Sequence, residues 1–252
     1  MTNTGYDFTG KAALVTGGSK GIGRGCVEAF GQGGAKVAFT YRHEDASVRD
    51  LRAWGQAHGV SLFGVQADAV DPTSYVPLRD AVSAFTGGAL HILVNNVGDP
   101  IRRSAFAASD DALWVDCLTL NFLSATRATR SFLPLLQRSD GAVIVNVSSI
   151  AGSTTGAGDS LHYGVSKAAL DTFAVGLARE LKTVRVVGVA PSAIDTDFHL
   201  RHSTPARLQK ILDQVPLGRI GTVQEVVDVI AFLASGHAAY VSGSVVKISA
   251  GR

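Results

Sequence analysis

The sequence has few of the features that mark particular classes of protein. It contains only two cysteines, Cys26 and Cys117, and neither lies in a CxxC pair or near a histidine at metal-ligand spacing. This argues against a disulfide scaffold and a cysteine-based metal site, so we expect buried thiols and no metal. No apolar run approaches the roughly 20 residues of a membrane helix. The first ten residues also lack a secretion-signal pattern, so a cytoplasmic location is expected.

Charged residues are sparse as well, at 17%, and they nearly balance to a net charge of +2. This balance argues against nucleic acid or a membrane surface as partner. Hydrophobic residues, in contrast, make up 46% of the 252 residues, enough for a large core. No linker or internal repeat divides the chain, so we predict a single domain over residues 1–252.

Short β-rich segments alternate with longer helical ones along the chain. The predicted strands are Ala12–Thr16, Lys36–Tyr41, Leu62–Gln66, Leu90–Asn95, Val143–Val147, Val184–Ala190 and Val245–Ile248. The predicted helices lie near Gly23–Gly31, Ala46–His58, Pro72–Phe85, Asp110–Arg138, Tyr163–Leu181 and Val223–Ala234. The alternation predicts an α/β, doubly wound, Rossmann-type fold, a seven-stranded parallel sheet with helices on both faces. We predict a small substrate flap at about residues 192–216, where no strand is evident.

A glycine-rich turn, Thr16–Gly23, follows the first predicted strand and opens the first helix. Glycines permit a tight turn in which backbone N–H groups approach a pyrophosphate at the helix N-terminus. The sequence therefore predicts a dinucleotide site. Its candidate binding residues in the turn are Gly17, Ser19, Lys20, Gly21, Ile22 and Gly23.

The end of the second predicted strand indicates which dinucleotide binds. An NAD site usually places an acidic residue there, whereas this chain has Tyr41 and Arg42. Arg42 and Lys20 together suit the 2′-phosphate of NADP(H). Glu44 and Asp45 lie just downstream and leave NAD(H) as the less favoured alternative.

Tyr163 and Lys167 are four residues apart on a predicted helix and so share one face. A nearby ammonium favours the phenolate, which would lower the tyrosine pKa and suit the residue to proton transfer. Ser148 and Ser149 end a predicted strand, at the edge where an open parallel sheet binds ligands. Either hydroxyl could reach the oxygen of a substrate.

Together these motifs resemble the short-chain dehydrogenase/reductase family, and its 3-oxoacyl-acyl-carrier-protein reductase-like members in particular. The resemblance extends from about Phe8 to Gly251. The motifs that carry it are Thr16–Gly23, Asp68, Asn95–Gly98, Asn121, Ser149, Tyr163 with Lys167, and Pro191-Ser192 followed by Thr196. The chain departs from the family pattern at Val97, usually alanine, and at Ser192, usually glycine. One additional residue between Ser149 and Tyr163 leaves Ser148 as an alternative, although the run Val145–Gly152 favours Ser149.

The resemblance implies a role for each catalytic residue. Tyr163 would be the general acid/base, and Lys167 would lower its pKa and hold the nicotinamide ribose. Ser149 would orient the substrate oxygen, and Asn121 would fix a water in a proton relay. Further cofactor contacts are implied at Asp68, Ala69, Asn95, Val97, Gly98, Pro191, Ile194 and Thr196, besides Tyr163 and Lys167 themselves. A homodimer or homotetramer is also implied.

The expected reaction is hydride transfer between NADP(H) and a small-molecule carbonyl compound or secondary alcohol. The alternatives are an NAD-dependent alcohol or polyol dehydrogenase, an epimerase or dehydratase of the same fold, and a cofactor-binding regulator without turnover. Candidate substrate-pocket residues are Asp99, Ile101, Ser153, Asp159, His162, Phe198 and His199. A medium-sized ketone, a 3-oxoacyl thioester or a polyol would fit this mixture. Arg138 and Arg179 are candidates for docking an acidic carrier protein.

Overall fold

The computed structural model describes residues 5–154, 158–196 and 202–252. Within them, seven parallel strands form one sheet in the order β3-β2-β1-β4-β5-β6-β7. The strands are β1 Ala12–Val15, β2 Lys36–Tyr41, β3 Leu62–Gln66, β4 Ile92–Asn95, β5 Val143–Val147, β6 Arg185–Pro191 and β7 Val245–Ile248. The predicted single-domain, seven-stranded parallel sheet is therefore confirmed.

Helices connect successive strands and cover both faces of the sheet. They are α1 Gly21–Gln32, α2 Ala46–Ala57, α3 Tyr75–Thr86, α4 Asp111–Leu118, α5 Ser124–Leu136, α6 Ala151–Thr154, α7 Leu161–Glu180, α8 Pro205–Leu212 and α9 Val223–Ala234. Short 3₁₀ turns lie at Pro72–Ser74, Phe106–Ala108 and Gly236–Ala238. In the described part of the chain, no helix combines the length and the apolar character needed to span a membrane.

Two hydrophobic clusters, one on each face, explain why the strands read as continuous apolar runs. Val15 of β1 packs in the cluster that includes Phe30 of α1 and Ile230 of α9. Leu14, the preceding residue, packs in the cluster with Phe132 of α5. Successive strand residues point to opposite faces, and both faces are covered, so neither position tolerates a polar side chain. Each fully buried large side chain contributes about 1.5–3 kcal/mol.

The helical stretch predicted over Asp110–Arg138 is confirmed from Asp111 to Leu136, but it is not one regular α-helix. A π-helical turn at Thr119–Leu123 separates α4 from α5 and contains the buried Asn121. The Asn121 amide donates to the carbonyl oxygens of Cys117, four residues before it, and of Asp99 in the loop after β4. Such side-chain hydrogen bonds compete with a regular helix, and single π-helical turns often occur at functional sites.

Sequence analysis assigned no helix between Ile194 and Pro216, yet α8 lies there. Its signals were present: Thr204 caps the helix by accepting from the backbone N–H of Arg207 at 3.3 Å, and Pro205 occupies the first helical position. Residues 197–201, in the predicted flap, lie outside the described residues. The flap therefore remains a prediction.

The strand order reverses between β1 and β4, because β2 lies on one side of β1 and β4 on the other. Ligands of open parallel sheets bind beyond the carboxyl ends of the strands, at this reversal. The last residues of β1, β4 and β5 are Val15, Asn95 and Val147. The glycine-rich turn, the Asn96–Gly98 segment and Ser148-Ser149 follow them directly and so meet at one edge of the sheet.

Candidate active site

A cavity of about 1290 Å³ opens at this edge. Most single-ligand pockets measure roughly 300–1,000 Å³, so this one has room for a dinucleotide and a second molecule. Its lining includes Gly17, Lys20, Gly21, Ile22, Tyr41, Arg42, Asp68 and Ala69 from the first three strands and their loops; Val97, Gly98, Ser149, Tyr163, Lys167, Pro191, Ile194 and Thr196; and the basic residues Arg103, Arg207, Lys210 and Arg252. We call the part around the first group the adenosine end, after the half of a dinucleotide that it would hold, and the part around the four basic residues the substrate end. Most of the predicted cofactor-binding residues therefore share one cavity.

The glycine-rich turn has the shape of a phosphate cradle. Gly17 and Gly21 adopt positive φ angles of 62° and 52°, and the backbone N–H of Gly17 donates to Thr40 Oγ1 at 2.9 Å. A Cβ at Gly23 would overlap the carbonyl oxygen of Gly17. Lys20 begins α1 without a side-chain cap, which leaves the first-turn N–H groups for an anion. Ser19 and Gly23 shape the turn but do not line the cavity.

Asn95 and Asn96, at the end of β4, have different roles: Asn95 joins neighbouring elements of the core, and Asn96 lines the cavity. Asn95 is buried and donates from Nδ2 to Thr129 Oγ1 at 3.0 Å and to Asn146 Oδ1 at 2.8 Å, so it joins β4 to α5 and β5. It does not line the main cavity, although it was predicted to lie near the ribose. Asn96, which sequence analysis did not select, lines the cavity and holds the glycine-rich turn by donating to Gly17 O at 3.1 Å.

Two cations lie at the adenosine end of the cavity, and each has an acidic partner. Lys20 Nζ is 2.6 Å from Asp45 Oδ2, and Arg42 Nε is 3.5 Å from Asp68 Oδ2. Asp45 also caps α2 by accepting from the Val48 N–H. The pairs are largely exposed, so each contributes about 0–1 kcal/mol and yields readily to a stronger anion.

Three other residues predicted to contact the cofactor, Tyr41, Asp68 and Ala69, form hydrogen bonds with neighbouring residues. The hydroxyl of Tyr41 accepts from Arg52 Nη2 at 3.0 Å. The carbonyl oxygen of Ala69 accepts from the Tyr75 hydroxyl at 2.7 Å. Asp68 Oδ1 accepts from the Val70 N–H at 3.1 Å, which fixes the loop after β3. These hydrogen bonds fix the residues that line the adenosine end before any cofactor binds.

The chain beyond β6 forms the opposite wall of the cavity. Ile194 forms an isolated parallel bridge with Gly221. The Thr196 methyl group lies 3.5 Å from where a Cβ on Gly21 would stand, so Thr196 reaches over the glycine-rich turn. Ser192, which follows Pro191, has a buried hydroxyl oxygen without a hydrogen-bond partner among the described residues. A buried polar atom of this kind usually has a partner, and the described residues supply none.

Tyr163 hydrogen-bonds with the side chain of Ser149. Ser149 Oγ also accepts from the Ala151 N–H at 3.2 Å. Ser148, in contrast, turns away, and its hydroxyl donates to the carbonyl oxygen of Lys167 at 3.2 Å. The structure therefore places Ser149, and not Ser148, beside the phenol.

Lys167 is buried, and its Nζ donates to the carbonyl oxygen of Val147 at 2.9 Å and lies 5.7 Å from the centre of the Tyr163 ring. Burial lowers the pKa of Lys167 to about 8, and the charge of Asp171 opposes that shift. Burial raises the pKa of Tyr163 above its usual value, against the hydrogen bond from Ser149. The expectation that Lys167 brings the Tyr163 pKa below its ordinary value is therefore wrong for this structure, since desolvation dominates. The raised pKa keeps the phenol protonated at neutral pH.

Asn121 lies just behind this group. Its Oδ1 accepts from the Asp99 N–H at 3.0 Å and its Nδ2 donates to the Asp99 carbonyl at 2.8 Å. A Cβ at Gly98 would stand only 2.7 Å from both Asn121 Oδ1 and Lys167 Nζ. The glycine thus permits the two side chains to approach the loop closely. Asn121 does not line the cavity, and its part in a water relay remains a prediction.

The residues predicted for the substrate pocket have mixed outcomes. Ile101 lines the cavity, with a positive φ of 65° that is unusual for a β-branched residue. His162 is buried outside the lining, where its Nε2 lies 3.0 Å from the Arg102 carbonyl oxygen. Ser153 also lies outside the lining, and Asp99 pairs with His202 at 3.0 Å. Phe198 and His199 fall outside the described residues.

Four basic residues at the substrate end of the cavity were missed by sequence analysis. They are Arg103, Arg207, Lys210 and Arg252. They come from three distant segments of the chain, so no motif connects them. The described residues include no group of three or more His, Cys, Asp or Glu side chains arranged to hold a metal ion.

Comparison with known proteins adds to this geometry. A family model described as Enoyl-(Acyl carrier protein) reductase matches residues 17–252. The 3-oxoacyl-(acyl-carrier-protein) reductase FabG of Escherichia coli is 34% identical over 247 residues, covering 97% of this chain and 98% of the relative. The chain belongs to the short-chain dehydrogenase/reductase family. A tropinone reductase homologue of Arabidopsis thaliana is 33% identical over 254 residues, which cover 99% of this chain and 95% of that protein.

Solved structures of short-chain dehydrogenases share the fold along their whole length. A short-chain dehydrogenase from Burkholderia cenocepacia in complex with NADP superposes with a TM-score of 0.89, at 28% identity, covering 96% of this chain and 98% of that one. A 7α-hydroxysteroid dehydrogenase in complex with NADH and 7-oxo glycochenodeoxycholic acid gives 0.91, at 28% identity, covering 99% and 96%. This short-chain dehydrogenase/reductase thus resembles relatives that bind either nicotinamide cofactor.

Because Lys167 is buried, the free energy of unfolding of the protein should depend on pH. The folded protein holds this proton less tightly than the unfolded chain, because the pKa falls from 10.5 to about 8. Between those values the unfolded chain binds more protons, so the lysine's unfavourable contribution diminishes as pH rises. We expect the stability of wild type relative to Lys167→Met to rise by about 3 kcal/mol from pH 7.5 to 10.5, measured by urea unfolding. A flat difference would contradict the lowered pKa.

Proposed function

We propose that this chain transfers a hydride between NADP(H) and a small-molecule carbonyl compound or secondary alcohol, with Tyr163 as general acid/base. The observation that carries the proposal is the Tyr163–Ser149 hydrogen bond in the cavity that the glycine-rich turn also lines. Two hydroxyl groups that converge on one point can both donate to a single oxygen atom, which suits a carbonyl oxygen.

The bound nicotinamide supplies the hydride, and the protein supplies position and the proton. In the direction of reduction, Tyr163 donates its phenolic proton to the substrate oxygen, and in oxidation it takes the proton from the alcohol. Ser149 donates a hydrogen bond to the same oxygen and orients it. Lys167 would hold the nicotinamide ribose, and its ammonium would stabilise the phenolate that reduction leaves on Tyr163.

NADP(H) is the proposed cofactor because Lys20 and Arg42 lie together at the adenosine end of the cavity. Their ion pairs with Asp45 and Asp68 are exposed, and a 2′-phosphate carries up to two charges for which they can exchange. The relatives named above include an NADP complex and an NADH complex, so they leave both cofactors open. An NAD-dependent alcohol or polyol dehydrogenase is therefore the competing function.

Two measurements test the proposed function. Fluorescence titration with NADPH and NADH is expected to show tighter binding of NADPH. Consumption of NADPH is then measured with ketones, 3-oxoacyl thioesters and enoyl thioesters. Oxidation of NADPH by carbonyl compounds is expected. Turnover of enoyl thioesters alone would instead indicate an enoyl reductase. Cofactor binding without turnover of any of these compounds would favour a regulator.

The remaining expectations concern assembly and location. A homodimer or homotetramer is supported by exposed apolar side chains on the neighbouring helices α4 and α7, Val115 and Val165, which are 61% and 42% exposed. Light scattering after size exclusion measures this, and a monomer would contradict it. A cytoplasmic location, a flap at about residues 192–216 and carrier-protein docking at Arg138 and Arg179 remain sequence predictions.

A further inference from the structure

Among the described residues, the substrate end of the cavity carries more basic than acidic side chains. Arg103, Arg207, Lys210 and Arg252 line it. They follow β4, belong to α8 and come from the segment after β7, so the tertiary fold alone brings them together. Of the acidic residues that the structure describes, Asp68, which pairs with Arg42 at the adenosine end, and Asp116 line the cavity.

One carboxylate serves two of these guanidinium groups. Asp159 lies 3.2 Å from Arg103 Nη1 and 2.9 Å from Arg207 Nη1. This triad carries a net charge of +1, and Lys210 and Arg252 add to it. Asp99 lies 3.0 Å from His202 and does not line the cavity. A partly buried excess of like charge is costly unless an anion joins it.

The arginines also repel one another. Burial, and after it the positive charge of Arg207, lowers the pKa of both Arg103 and Arg252. Arg207 binds Asp159 through Nη1, and its Nε is buried away from the cavity. The planar guanidinium group of an arginine that lines a cavity suits bidentate binding of a carboxylate or phosphate.

This cationic end adjoins the catalytic hydroxyl. Arg103 donates to Ser160 Oγ at 3.3 Å, one residue before α7, and its charge acts on the Tyr163 phenol. Arg103 Nε also donates to the carbonyl oxygen of His202, next to α8. The guanidinium groups therefore face the same space as the reacting carbonyl and lie away from the adenosine end.

We infer that the substrate carries an oxyanion group, a carboxylate or a phosphate, which binds Arg103 and Arg207 while its carbonyl oxygen lies at Tyr163. The inference rests on the proposed function and names its substrate class as oxo acids or oxoalkyl phosphates. It also accounts for the surplus of positive charge among the described residues, which a neutral ketone would leave uncompensated.

The test compares matched substrates within each protein, so that a change in folded fraction cancels. NADPH oxidation is followed with oxo acids of four to ten carbons and their methyl esters, and with oxoalkyl phosphates and the corresponding free alcohols. The wild-type protein is expected to prefer the anionic member by at least about tenfold in kcat/KM. The acid and phosphate series distinguish the two oxyanions.

Substitutions at the cluster should move this preference in opposite directions. Arg207→Met is expected to lower the ratio of anion to neutral analogue about tenfold, and Arg207→Lys to restore part of it. Asp159→Asn is expected to raise the ratio, because it removes the competing carboxylate. Arg130→Met is the matched control. Arg130 is exposed on α5 and does not line the cavity, so its loss should leave the ratio unchanged.

The outcomes separate this inference from the proposed function. Reduction of neutral carbonyls as fast as their anionic analogues, or an unchanged ratio in Arg207→Met, would overturn the inference and leave the reductase intact. Oxidation of NADPH by none of the carbonyl compounds, acidic or neutral, would overturn the proposed function itself.

Discussion

Replacing Tyr163 by phenylalanine is expected to lower kcat by about 10²–10⁴-fold, the usual contribution of a positioned acid/base. The change removes one oxygen atom, the one that hydrogen-bonds with Ser149 and would donate the proton. Ring packing is retained, so NADPH affinity, measured by fluorescence titration, should change little. Wild-type turnover in Tyr163→Phe would rule out the proposed mechanism.

A second tyrosine provides the control for this change. Tyr240 is fully exposed and lies outside the cavity lining, so Tyr240→Phe should keep wild-type kcat. The pH dependence adds a further readout. Because burial raises the pKa of Tyr163, reduction should persist well above neutral pH before the phenol loses its proton. Ionisation of the phenol below pH 8, seen as tyrosinate absorbance in the folded wild type and not in Tyr163→Phe, would contradict a neutral phenol.

Removal of Lys20 and Arg42 together is expected to weaken NADPH binding by about 100-fold and to leave NADH binding nearly unchanged. Each charge-assisted hydrogen bond to the 2′-phosphate contributes about 1.5–3 kcal/mol, part of which is offset by the lost ion pairs with Asp45 and Asp68. The double variant Lys20→Ala/Arg42→Ala should therefore bind the two cofactors with similar Kd. Titration of both cofactors measures the effect.

Two further variants sharpen this result. Asp45→Asn removes the charge that competes for Lys20 but keeps a side chain able to cap α2, so NADPH should bind more tightly. Lys36→Ala is the control, because Lys36 is exposed at the start of β2, opposite the Tyr41 end of the strand. Tighter binding of NADH than of NADPH by the wild-type protein would overturn the proposed cofactor choice.

Local patterns were sufficient for much of the site. Gly17, Gly21, Tyr163 and Lys167 lie in continuous motifs whose backbone requirements or helical spacing are visible in the sequence alone. Asn95 and Asn96 were harder, because adjacent strand residues point to opposite sides and only packing decides which of them lines the cavity. Ser148 and Ser149 both line the cavity, and the hydrogen bond from Ser148 to α7 leaves Ser149 as the serine beside the phenol.

The π-helical turn and the pKa of Tyr163 depend on contacts between residues that are far apart in the sequence. The π-helical turn around Asn121 exists because its amide bonds to the loop after β4, more than twenty residues earlier. The raised pKa of Tyr163 reflects desolvation, which exceeds the influence of the charges around the phenol. Neither the burial of a phenol nor a distant amide partner can be read from residue spacing.

The sequence by itself determined the sheet of seven strands, the glycine-rich turn and the order of the motifs, because periodicity and glycine placement are properties of local backbone geometry. Only the tertiary structure decided that Arg103, Arg207 and Arg252 share one end of the cavity with Tyr163. These residues are separated by up to about 150 positions, and the parallel crossovers that carry β4, β6 and β7 to one edge bring them together. The positive charges cluster only at that edge of the folded sheet, because each segment of the chain supplies only one or two of them.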